Sequence, residues 1–165
     1  MRAIIIVAVF IAGTSAACAQ HMKEAQVPEA VKNAFKAKFP DVTDADWEKE
    51  GNDYEVEFEA KRVNMDHGKS VKEASERSAL FSANGTWLQT EEEIKVHQLP
   101  AAVNEYITKN LAGKKIKEAA KITDAEGKVT YEAEVAKTDY IFDAKGNFLK
   151  KEVESEKDND DKKKD

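Results

Sequence analysis

Ala79-Leu80-Phe81-Ser82-Ala83-Asn84-Gly85-Thr86-Trp87-Leu88 returns sixty-one residues later as Tyr140-Ile141-Phe142-Asp143-Ala144-Lys145-Gly146-Asn147-Phe148-Leu149. Both stretches run apolar-apolar-Phe, a polar residue, Ala, a turn pair ending in Gly, an aromatic and Leu. Asn-Gly between short apolar runs predicts a two-residue hairpin loop, because both central residues of a type I′ turn need φ > 0. Lys145-Gly146 is a weaker form of the same signal. The recurrence predicts a tandem repeat, and the rest of the chain supports it.

Val27-Pro28-Glu29-Ala30-Val31 matches Leu99-Pro100-Ala101-Ala102-Val103, and each opens a helix with Pro in the first turn. Val31, Ala34, Phe35 and Phe39 form one apolar stripe, which Pro40 ends; Val103, Tyr106, Ile107 and Leu111 form the other, with Gly113 as its expected cap. Tyr54-Glu55-Val56-Glu57-Phe58-Glu59-Ala60 alternates apolar and acidic residues as a half-buried strand does, and Tyr131-Glu132-Ala133-Glu134 repeats it. Asp44 to Glu50 supplies a preceding strand whose Trp47 is expected beneath the first helix. Each unit thus reads as one helix followed by four antiparallel strands in meander order. Two units predict an α+β two-layer sandwich of about eight strands, with both helices on one face and the other left to solvent.

This reading divides the chain into residues 1–19 as a leader, 20–97 and 98–154 as the two units, and 155–165 as a charged tail without apolar residues, expected to be disordered. The first unit carries extra polar residues at 61–77, read as an extended loop or a projecting hairpin. The leader has Arg2, an apolar run from Ala3 to Ala12 too short to span a bilayer, and Ala17-Cys18-Ala19 before Gln20. Cleavage after Ala19 leaves a soluble mature chain without cysteine; acylation at Cys18, within Ser15-Ala16-Ala17-Cys18, would leave a lipid anchor. Either way the chain is expected in the periplasm or secreted.

The formal charge is −6, and −7 once Arg2 leaves with the leader. With no basic stripe, nucleic acid is not an expected partner, and no membrane span is expected. His21, His67 and His97 are the only histidines, and none lies in a nucleophile or metal signature. Glu55, Glu57 and Glu59 and the aspartates at 158–161 lack the Gly-turned spacing of a calcium loop and read as solvated. Neither catalysis, a metal nor a cofactor is therefore expected.

In a two-residue hairpin Ala83 pairs with Thr86, Ser82 with Trp87, Phe81 with Leu88 and Leu80 with Gln89. Phe81/Leu88 and Phe142/Leu149 then face the helices. Leu80, Trp87, Ile141 and Phe148 face away from them, beside Glu55, Glu57, Glu132 and Glu134. An apolar patch rimmed by carboxylates is a candidate partner site, with Trp87 and Phe148 as anchors and the Glu ladder selecting a basic partner.

With V-P-E-A-V…F-K-A-K-F-P-D-V at 27–42, D-W-E-K-E-G-N-D-Y-E-V-E-F at 46–58 and the two F-x-A-x-G hairpins, residues 27–153 resemble the PepSY-like family, also described as similar to the β-lactamase-inhibitor protein fold. The resemblance implies an exported bacterial module that binds or inhibits a protein, such as an envelope enzyme, without being an enzyme itself. The alternative is an envelope protein that binds a small ligand or divalent cation on its acidic sheet face.

Overall fold

The structure is a computed structural model that describes residues 20–66 and 69–153, with side chains described for 21–60 and 74–153. The leader, His67 and the charged tail lie outside the described residues. Nine strands form one sheet in sequence order: β1 (Gln20–Met22), β2 (Asp46–Glu50), β3 (Asp53–Asp66), β4 (Lys69–Ser82), β5 (Trp87–Glu93), β6 (Glu118–Asp124), β7 (Val129–Glu134), β8 (Thr138–Asp143) and β9 (Phe148–Val153). Every neighbouring pair is antiparallel. This is the expected meander plus β1, which the polar lead-in supplies by pairing Met22 with Trp47. The extra residues of the first unit lengthen the β3–β4 hairpin, whose pairing continues to Asp66 opposite Lys69.

Helix α1 spans Glu29–Lys38 and helix α2 spans Ala101–Asn110. Each starts after a proline whose carbonyl accepts the N–H three residues on, Val31 on Pro28 at 3.0 Å and Val103 on Pro100 at 2.9 Å. A 3-10 turn precedes each helix, at Glu24–Gln26 and Val96–Gln98. In both, a Gln side chain accepts the N–H of a Lys three residues back, Lys23 by Gln26 at 3.0 Å and Lys95 by Gln98 at 2.8 Å. The repeat therefore begins upstream of the prolines, as Lys-x-x-Gln-apolar-Pro. Gly113 lies past the C-cap residue Leu111, in a turn closed by Lys114 N–H on the Leu111 carbonyl.

Both helices lie on the same face of the sheet and seal two cores. Under α1, Val31 and Phe35 pack with Trp47, Val56, Phe58, Ala79 and Phe81, Phe35 meeting the Trp47 ring edge-on at 5.3 Å. Under α2, Val103 and Ile107 pack with Ala119, Ala133, Tyr140 and Phe142. Pairing of Gln89–Glu93 with Ala120–Asp124 joins the two units into one sheet.

The two defining hairpins depart from the expected geometry. Gly85 N–H donates to the Ser82 carbonyl at 2.8 Å and Ser82 N–H to the Thr86 carbonyl at 2.9 Å. The loop is therefore three residues long, Ala83-Asn84-Gly85. Gly85 takes φ +85 and Asn84 is not in the left-handed region, which is a type I turn closed by a glycine bulge. Phe81 then faces Trp87, while Leu80 still faces Gln89, so Leu88 is an extra residue. The second hairpin repeats this: Gly146 has φ +85, Phe142 faces Phe148, Ile141 faces Lys150, and Leu149 is extra. The primed-turn geometry expected at Asn84-Gly85 occurs at Ala136-Lys137, where φ is 55 and 60 between β7 and β8.

One residue of register moves two side chains across the sheet. Trp87 and Phe148 lie on the helix side, not on the helix-free face. Trp87 packs against the first core, with Lys38 Nζ 3.3 Å from its ring centroid and its indole N–H donated to Thr90 Oγ1 at 2.9 Å. Phe148 stacks on Tyr106 of α2, centroids 4.8 Å apart and planes 9° apart. Leu149, expected in the core, is exposed.

Candidate functional site

Strand alternation sets the helix-free face residue by residue. Val56 and Ala79 point at α1, so Glu55, Glu57, Ser78 and Leu80 point away. Ala133 and Phe142 point at α2, so Glu132, Glu134, Asp139 and Ile141 point away. Register then lays Glu57, Ser78, Glu91 and Ile122 side by side across β3 to β6. It likewise lays Glu55 beside Leu80 and Gln89, and Glu132 beside Ala120 and Ile141.

These side chains are not solvated, as the sequence reading supposed. Glu91 is 2% exposed, Asp139 3%, Glu55 4%, Glu134 5% and Glu132 7%, with Leu80, Ile122 and Ile141 buried among them. The carboxylates also interact over a long lateral range. Glu91 on β5 is raised by Asp139 on β8 as well as by Glu57 and Glu50. Glu91 and Asp139 thus interact across the two strands that lie between them in the sheet.

Burial, more than any neighbour, pushes Glu55, Glu91 and Glu132 toward their neutral form. Glu55 rises to about 9, by loss of hydration first and then by Glu50, Glu57, Glu91 and Glu48. Glu91 and Glu132 are raised for the same first reason, each with further carboxylates around it. Several polar atoms on this face have no hydrogen-bond partner: Glu55 Oε1, Ser78 Oγ, Gln89 Nε2, Glu91 Oε2 and Glu132 Oε2. Glu134 is compensated, since Lys117 Nζ reaches its two oxygens at 3.1 and 3.2 Å. Lys150 pairs with Glu152 at the β9 edge. Among the described residues no three His, Cys, Asp or Glu side chains stand close enough to hold a metal ion.

Of the expected partner-site residues, Leu80, Ile141, Glu55, Glu57, Glu132 and Glu134 share this face, and Trp87 and Phe148 do not. Sequence reasoning missed Ser78, Gln89, Glu91 and Asp139. Their signal was present, because each falls at the outward parity of its strand once the hairpin register is known. His97 is exposed in the second 3-10 turn. A recess of about 930 Å³ lies beyond the end of α1, where Phe39, Asp44, Glu57, Phe58, Glu59 and Arg77 line it.

A sequence profile of the PepSY-like family, a family proposed to be β-lactamase-inhibitor-like, matches residues 16–72 and again 67–150. The chain belongs to the PepSY-like family. The double match agrees with the duplicated helix-and-meander unit. Solved structures share the fold at low identity. A BLIP-like protein of Bacteroides fragilis is 22% identical with TM-score 0.53, over 76% of this chain and 85% of that one. A Bacteroides eggerthii protein proposed to be periplasmic is 16% identical with TM-score 0.61, over 76% and 88%. A DUF2874 family protein of Bacteroides ovatus is 15% identical with TM-score 0.60, over 76% and 86%. No curated protein matches the chain. Among the described residues no helix is long and apolar enough to cross a membrane.

Proposed function

We propose that this PepSY-like chain is an exported, non-enzymatic module that docks a protein, in the manner of an inhibitor or regulator of an envelope enzyme, through the helix-free face of its sheet. The observation that carries the reading is the make-up of that face. It crosses both repeats without a break, leaves both helices on the far side, and sets Leu80, Ile122 and Ile141 among Glu55, Glu57, Glu91, Glu132 and Glu134. Leu80, Ile122 and Ile141 are already buried within the fold, so the face meets a partner mainly through its acidic character, which selects a complementary surface. Membership in a family proposed to be inhibitor-like and the shared fold of a BLIP-like protein support the reading. The periplasmic assignment proposed for a structural neighbour supports the compartment.

The test is site-specific photo-crosslinking in the exporting cell. A photoreactive residue at Thr130, on the open face, is compared with one at Glu105, exposed on α2. Discrete protein adducts from Thr130 that are absent from Glu105 support the docking face. Identical adduct patterns from the two positions, or none from Thr130, overturn it.

A further inference from the structure

We propose that β9 is a pairing edge for a second copy of this chain. Two β9 strands lie antiparallel about a two-fold axis at Lys151, each Leu149 opposite the other copy's Val153 and each Lys150 opposite its Glu152, so that the two sheets run on as one. This edge is separate from the helix-free face, and its pairing is tested apart from docking there.

Exposure is the first ground. Among the described residues the large apolar side chains left exposed are Phe148 at 37%, Leu149 at 49% and Val153 at 74%, and all three stand on β9. Among those residues the strand ends the sheet, with β8 on one side and no strand on the other. An edge strand offers a row of unpaired N–H and C=O groups, which a further strand completes. The opposite edge, β1, is three residues long and carries none of the exposed large apolar side chains.

The duplication is the second ground. β5 and β9 are the same strand of the two units, Trp87 matching Phe148 and Leu88 matching Leu149. In the first unit β6 pairs along β5; there Trp87 and Leu88 are half-buried, and Gln89 and Glu91 are buried. In the second unit no strand among the described residues follows β9, and the matching Phe148 and Leu149 are exposed while Lys150 and Glu152 are only half-buried. The chain thus covers this strand with an antiparallel neighbour in one unit and leaves its duplicate bare in the other.

Self-complementarity selects the occupant. Lys151 faces Tyr140 and Val153 faces Thr138, so alternation puts Leu149, Lys151 and Val153 on the helix side of the strand. Lys150 and Glu152 face Ile141 and Asp139 and point to the other side. A two-fold axis normal to the sheet keeps those sides, so residues that meet must share one. With Lys151 on the axis, each Leu149 meets a Val153 and each Lys150 a Glu152, giving two apolar pairs and two pairs of opposite charge. Lys150 already reaches Glu152 of its own strand, so two copies set four charges of alternating sign side by side. The unfavourable meeting is that of Lys151 with its own copy, and an edge lysine limits how tightly such strands associate. This arrangement closes after two copies, whereas pairing of β9 with the β1 edge would propagate without end.

The experiment uses the full chain with Cys18→Ser, which removes its one native cysteine. Analytical ultracentrifugation is expected to show monomer and dimer in concentration-dependent exchange, with nothing larger. Val153→Asp should weaken the dimer tenfold or more, and Lys151→Thr, which removes the like charges on the axis, should tighten it threefold or more. Residues directly opposite across antiparallel strands lie about 4.5–5.5 Å apart at Cα, within the span of a disulfide. Lys151→Cys should therefore oxidise to a covalent dimer at least tenfold faster than Val153→Cys, whose two copies would stand about 13 Å apart. Circular dichroism verifies that the variants are folded, and both positions are exposed. A monomer at every concentration overturns the proposal. So does a dimer that Val153→Asp leaves intact, that Lys151→Thr weakens, or that cross-links equally from 151 and 153. Species larger than a dimer would assign β9 to the β1 edge of the next copy and overturn it as well.

Discussion

Gly85, in the first hairpin loop, sits so close to Ala30 of α1 that a β-carbon added to it would lie 2.6 Å from the Ala30 carbonyl oxygen. The second unit repeats the contact, where a β-carbon on Gly146 would lie 2.9 Å from Ala102 Cβ. Each hairpin loop thus closes onto the start of its own helix, which fixes the helix over its strands. The glycine is required twice over, once for the positive φ and once for the approach.

Gly85→Ala is expected to cost about 2–4 kcal/mol, combining a left-handed alanine with a clash against backbone. Gly127 has a similar φ of +79 with nothing within 4 Å, so Gly127→Ala should cost only about 1 kcal/mol. Urea unfolding of the two variants isolates the steric part. Equal losses would mean that the hairpin does not press on α1.

Acid should stabilise this protein. Glu55 has an ordinary value of 4.5 that rises to about 9 in the fold, so the folded state holds its proton more tightly than the unfolded chain. The stability this confers is complete below about pH 4.5 and is lost as pH climbs toward 9. Urea midpoints should fall between pH 5 and pH 8.5. Glu55→Gln should flatten part of that slope and stabilise the protein at pH 7 by roughly 1–3 kcal/mol. A midpoint that rises over this interval would show that the face is hydrated after all.

The tight turn at Ala136-Lys137 places two side chains in the left-handed region, at φ 55 and 60. Asn-Gly is the preferred pair there. Replacing both residues, Ala136→Asn with Lys137→Gly, should raise stability by about 0.5–1.5 kcal/mol. Thermal unfolding reads this directly, and a drop in melting temperature would contradict the turn assignment.

Phe148→Ala should remove the stack on Tyr106 and the edge contact with Phe142, at a cost of about 1–2 kcal/mol. Because the ring lies on the helix side, partner affinity should stay within twofold. A large loss of affinity at unchanged stability would return this aromatic to the docking surface.

Much of the architecture was legible in the residues. The paired F-x-A-x-G hairpins, the two apolar-Pro helix starts and the alternating Glu strands specify a duplicated meander, because periods of 2 and 3.6 depend only on local backbone geometry. Leu80, Ile141 and the glutamates of β3 and β7 reached the predicted face because unbroken alternation fixes parity along a strand. Which side Trp87 and Phe148 take was decided elsewhere. A three-residue loop and a two-residue loop both place Gly after Asn or Lys, and they differ by the one residue that inverts the facing of the returning strand. The burial of Glu55, Glu91 and Glu132 likewise belongs to the tertiary structure. Hydration of a side chain depends on strands far apart in sequence, and only the assembled sheet brings their carboxylates together.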